Sequence, residues 1–99
     1  MSETFEKETV KQSLKPPVMW NVIFLNDDFT TFEFVIACLM EVFNKSEEQA
    51  SMIATDIHEK GKGVVGQYTQ DIALTKKEDA MGFAIKYEHP LQVLVEPVI

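Results

Sequence analysis

From Met19 to Leu25 the chain is apolar at every position but Asn21, a run of strand length whose continuity suits a buried strand. Asn26-Asp27-Asp28 ends that run, and a helix-start signature follows at once. Thr30 is the expected N-cap, Glu33 completes a capping box, and Phe29 is placed to staple against Phe34, so a helix is predicted to begin near Thr31. Phe32, Val35, Ile36, Leu39, Met40 and Phe43 recur at spacings of three and four, the stripe of a core-facing helix, and Asn44 is a suitable stop. Ser46 with Gln49 predicts a second capped helix, with Ala50, Ile53, Ala54 and Ile57 as its apolar face and Gly61 and Gly63 as its end. Val64 to Leu74 then alternates, Val64, Tyr68, Ile72 and Leu74 against Gln67, Thr69, Asp71 and Thr75, which predicts a half-buried strand. Thr75 and Glu78 suggest a third capping box, ahead of a helix that buries Ala80, Phe83, Ala84 and Tyr87 and stops at His89-Pro90. Leu91 to Glu96 is a final strand, followed by Pro97.

The order β-α-α-β-α-β implies an α+β fold, a two-layer sandwich of a three-stranded antiparallel sheet and three helices. The boundary signal is Lys15-Pro16-Pro17, since consecutive prolines hold the backbone extended and exclude a continuing helix. Residues 1–17 read as a flexible polar extension in which Phe5, Val10 and Leu14 form no clean stripe, and residues 18–99 as one core domain. Apolar residues at 45% and charged residues at 25% suit a folded chain with a single core. No apolar run is long enough to cross a bilayer and the start lacks the apolar stretch of a secretory signal, so a cytoplasmic location is expected. A net charge of -7 disfavours nucleic acid and anionic membranes as partners. Cys38 stands alone, which leaves neither an internal disulfide nor a thiolate zinc site.

The chemistry-bearing stretch is Asn26-Asp27-Asp28-Phe29-Thr30, a loop between strand and helix. Such residues serve ordinary turns and helix starts, where carboxylates meet the positive end of the helix dipole. As a binding group, three side chains rich in acceptor oxygens match an ammonium, whose three N–H donors need three acceptors. A peptide's α-amino group is one such ammonium. His58, at the edge of the second apolar stripe, offers a further acceptor when neutral. The same four residues, Asn26, Asp27, Asp28 and His58, could also ligate a metal, although the loop lacks the spaced acids and glycine of a calcium hand. A Cys38–His58 thiol and base would need an oxyanion hole and a nucleophile turn, and neither has a sequence signal.

The run from Val22 to Thr30, the Glu33-Phe34-Val35 after it, Ile57-His58 with Gly61-Lys62, and the late Glu88-His89-Pro90-Leu91 together resemble ClpS, the bacterial N-degron adaptor, in one colinear pass over residues 15–96. The resemblance implies a non-enzymatic protein without a cofactor that binds the free α-amino group and bulky first side chain of substrates and delivers them to an ATP-driven Clp protease. It assigns the α-amino group to Asn26, Asp27, Asp28 and His58, and the first side chain to a hole formed by Phe24, Thr30, Phe32, Val35, Ala54, Ile57 and Leu91 that accepts Phe, Tyr, Trp and Leu. Asp71 and Lys76 fall at positions associated with docking on the N-terminal domain of the unfoldase ClpA (or ClpC), and residues 1–17 match the extension that enters its pore. Phe32 and Ala54 stand where the family usually has Met, and Thr31 where it usually has Pro. A related module that binds metal or protein without recognising amino termini is the alternative.

Overall fold

The computed structural model of the chain describes residues 16–99. Its elements are β1 (Trp20–Leu25), α1 (Phe32–Phe43), α2 (Glu47–Lys60), β2 (Lys62–Tyr68), α3 (Gln70–Lys86) and β3 (Gln92–Pro97), the expected order of three strands and three helices. The sheet is antiparallel with β1 in the centre, β2 on one side and β3 on the other. Pro16 and Pro17 precede it in exposed, irregular backbone; the rest of the proposed extension lies outside the described residues.

Val22 and Phe24 point from β1 into a core shared with Cys38, Leu39 and Phe43 of α1, Ala50, Ala54 and Ile57 of α2, and Val93 of β3. The buried face of α3 is entirely alanine, Ala73, Ala80 and Ala84, so little side-chain bulk separates its backbone from its neighbours. Lys76 ties α3 to the end of α1: its ammonium donates to the Val42 carbonyl at 2.8 Å and lies 5.9 Å from the ring centroids of Phe43 and Tyr68. The last turn of α1 has no basic residue of its own, and Lys76 supplies the positive charge that helix end favours.

Five expectations are corrected. The cap of α1 is Thr31, whose hydroxyl accepts the Phe34 N–H at 3.1 Å, so Glu33 closes no capping box and Phe29, 77% exposed, is no staple. The buried stripe of α1 includes Phe34 and Cys38, whereas Phe32 and Met40 are exposed. Phe34 is held inward by stacking on His89 at 4.1 Å and on Phe83 at 5.4 Å. The alternation after Gly63 ends at Tyr68: Thr69 caps α3, and Thr75 lies inside that helix with its hydroxyl on the Asp71 carbonyl. Ile72 and Leu74 imitate a strand pattern because both remain largely exposed on a helix that buries only Ala73 between them. Within β2 the parity also inverts, since Val22 pairs with Gly66 and Ile23 with Val64. This bulge gives Val65 no partner and turns it into the core, leaving Val64 outside. Lastly, Tyr87 is exposed and β3 starts at Gln92.

The turn after α3 is a Schellman motif: Glu88 donates to the Ile85 carbonyl at 3.0 Å and His89 to the Ala84 carbonyl at 2.8 Å. Glu88 adopts φ 61°, the left-handed region where a Cβ crowds the following carbonyl. Glu88→Gly is therefore expected to stabilise the fold by about 1 kcal/mol, raising the melting temperature by roughly 4 °C. A lower melting temperature would refute this assignment of strain.

Candidate functional site

At the end of β1 the chain must leave the sheet and enter α1, and it does so past the C-terminal end of α2. The Asn26 N–H donates to the Gly61 carbonyl at 2.9 Å, pinning the loop to the turn that closes α2. Gly61 takes φ 89° and donates to the Ile57 carbonyl, ending α2 one turn after the residues that face the loop. His58, in that last turn, is thereby brought beside Asn26.

The loop is rigidified by Asp27. One carboxylate oxygen accepts the N–H groups of Phe29 at 2.8 Å and Thr30 at 2.6 Å, and the other accepts the Thr30 hydroxyl at 2.7 Å. Burial acts to raise the Asp27 pKa, but donation from the Thr30 hydroxyl and the two amides, with attraction from His89, outweighs it and holds the carboxyl below the ordinary aspartate value. With three bonds already accepted, Asp27 shapes the loop more than it offers free acceptors. Asn26, Asp28 and His58 remain exposed.

Asn26, Asp27, Asp28, Thr30, Phe32, Val35, Ala54, Ile57 and His58 surround one cavity of about 290 Å³. Polar acceptors from the loop and from His58 form part of its wall, and apolar side chains of α1 and α2 form the rest. The carbonyl end of α2 adds partial negative charge on the same side as His58. Such a hollow suits a ligand with a cationic head and a compact apolar body. Phe32, 42% exposed, belongs to this wall, which is why it departs from the buried stripe of α1.

Two of the expected hole residues are not in the wall. Phe24 and Leu91 are buried in the core at 0% and 4% exposure. Phe24 points inward from the central strand and packs its ring edge-on against Phe43 at 5.6 Å. Neither Asp71 nor Lys76 lines the cavity. Asp71 is exposed in the first turn of α3, where the Thr69 hydroxyl donates to it at 2.8 Å and holds its carboxyl below the usual range. Cys38 is fully buried, and burial pushes its thiol up to about 12, so it has neither the access nor the thiolate character of a nucleophile. Among the described residues no three His, Cys, Asp or Glu side chains converge to hold a metal ion, and no helix is long and apolar enough to cross a membrane. The turn role that the sequence allows for this stretch falls on Asp27, whose carboxylate takes the Phe29 and Thr30 donors.

The family profile described as "ATP-dependent Clp protease adaptor protein ClpS" matches residues 15–94. The chain is 48% identical over 89 residues to the ATP-dependent Clp protease adapter protein ClpS of Paraburkholderia phymatum, covering 90% of this chain and 86% of that one. It is 47% identical, with the same coverage, to the ClpS protein of Burkholderia cenocepacia. Among solved structures it is similar to Agrobacterium tumefaciens ClpS2 bound to L-phenylalaninamide, with a TM-score of 0.80 and 35% identity over 83% of this chain and 99% of that chain.

Proposed function

The chain belongs to the ClpS family of Clp protease adaptors, and from that premise we propose that its cavity receives the first residue of substrate proteins and that the protein delivers them to the protease's unfoldase. The observation that carries this reading is the convergence of loop acceptors, His58 and an apolar hollow around a single space. In the proposed complex Asn26, Asp28 and His58 accept from the α-amino group, Asp27 orients the loop, and the first side chain fills the hollow between Phe32, Val35, Ala54 and Ile57. Phenylalaninamide, the ligand of the Agrobacterium relative, has both features, a free ammonium and a benzyl side chain, with an amide where the next peptide bond would run.

Burying a Leu or Phe side chain contributes about 1.5 to 3 kcal/mol, and each hydrogen bond to a charged group about as much. Three such bonds and one filled hollow approach the roughly 8 kcal/mol of a micromolar complex. Phe32 and Ala54 exchange flexible thioethers for one rigid ring and one small methyl, so the ranking among Phe, Tyr, Trp and Leu should differ from the family's while the set is kept. Competition binding with peptides that differ only in the first residue tests this. Phe and Leu are expected to outcompete Val and Ile by about tenfold, and equal binding of Val would overturn the pocket assignment. The same assay with a chelator separates an adaptor from a metal module, since the adaptor keeps its affinity.

For delivery, the partner is the N-terminal domain of ClpA or ClpC. Asp71 is the exposed docking contact, and Lys76 contributes mainly by holding α3 to the end of α1. Residues 1–17 are the segment offered to the unfoldase.

A further inference from the structure

Resting on the first-residue reading above, we propose that Gly63, which lies outside the cavity, is a positioning residue that sets the cavity's depth through Ile57 and thereby tunes how large a first side chain is preferred. Gly63 sits in β2 opposite Phe24 of β1. Its backbone is not left-handed, Gly61 being the glycine with positive φ, so conformation does not demand a glycine there. A glycine within a strand weakens it and often marks a close approach by another group. Here that group is Ile57. A Cβ at position 63 would lie 2.9 Å from the Ile57 Cγ1 but 3.8 and 3.9 Å from its backbone nitrogen and Cα. The two backbone distances are ordinary contacts, so any conflict falls on the Ile57 side chain and not on the path of α2.

Ile57 is 2% exposed and lines the cavity. A β-branched side chain in a helix has one strongly preferred rotamer, so it cannot swing aside cheaply and must lean. Towards the sheet it meets a packed core, with Phe24 fully buried, whereas the cavity is open space. The missing carbon of Gly63 thus lets Ile57 draw back, and restoring that carbon drives Ile57 into the space meant for the ligand. Gly66, in the same strand, serves another purpose: the Tyr68 ring lies over it, with its hydroxyl 2.6 Å from where a Cβ would stand.

The test uses peptides identical except for Trp, Phe or Leu at the first position, titrated against the full chain and against Gly63→Ala, Ile57→Val and the double variant. Gly63→Ala is expected to lower the ratio of Trp to Leu affinity about tenfold. The double variant moves one carbon from residue 57 to residue 63, conserving volume, and should restore the ratio to within about twofold. A purely structural role for Gly63 would weaken all three peptides alike and leave the ratio unchanged, and that result overturns the inference while the first-residue reading stands. If the unaltered protein binds none of the peptides, the reading itself fails and the inference falls with it. Should Gly63→Ala not fold, as judged by its melting curve, Ile57→Val alone must raise the Trp to Leu ratio; no rise overturns the inference.

Discussion

Acetylating the amino terminus of a Phe-initiated peptide is expected to weaken its binding to this protein at least a hundredfold. Acetylation replaces an ammonium with three donors and a full charge by a neutral amide with one donor. Around the cavity stand Asn26, Asp28 and His58, and none of these side chains is tied up in a hydrogen bond among the described residues, unlike that of Asp27. The carbonyl end of α2 also favours a cation there. Hydrogen bonds to a charged group contribute about 1.5 to 3 kcal/mol each, and solvent access at this rim argues for the lower figure. Losing two of them is about 3 kcal/mol, or roughly two orders of magnitude in affinity. Asn26→Ala should cost about tenfold, because its backbone bond to Gly61 survives and keeps the loop in place. Fluorescence anisotropy with the two peptides measures both effects. An acetylated peptide that bound within threefold of its free twin would remove the α-amino group from the recognition scheme.

Much of the wall of the candidate cavity was legible in the sequence because its polar half is local. Asn26, Asp27, Asp28 and Thr30 are neighbours along the chain, and their loop character follows from residue type alone. Ala54, Ile57 and His58 were legible through the reciprocal Ser46 and Gln49 cap, which both fixed the start of α2 and is present as expected. What failed depended on tertiary partners. The inward pull on Phe34 comes from His89 and Phe83, far along the chain, and Phe32 faces the cavity while Phe34 takes the buried position. The bulge at Val65 reverses parity within a strand, and strict alternation cannot anticipate that. Phe24 and Leu91 belong to the hole by resemblance alone, and both are buried in the core, Phe24 facing inward from the central strand.

The same distinction between shaping the loop and contacting the ligand makes Asp27 the sharpest test of how the site is built. Asp27→Ala leaves the N–H groups of Phe29 and Thr30 and the Thr30 hydroxyl without their acceptor, so the loop must explore other conformations before it can bind. With water able to compensate in part, the loss is about 2 kcal/mol, or roughly thirtyfold in affinity for a Phe-initiated peptide. Asp27→Asn keeps one acceptor oxygen for the two amides and should cost less than Asp27→Ala. The pH dependence follows from the sign of the shift. The folded protein holds the Asp27 carboxyl below its ordinary value near 4, so ionisation favours the folded loop. That contribution is fully present above about pH 4 and is lost as pH falls through the lowered folded value. The melting temperature of the natural protein should therefore exceed that of Asp27→Asn at neutral pH, and the gap should close only in strong acid. A gap that closed near pH 6, or one absent at pH 7, would mean that the carboxylate is not what holds the loop.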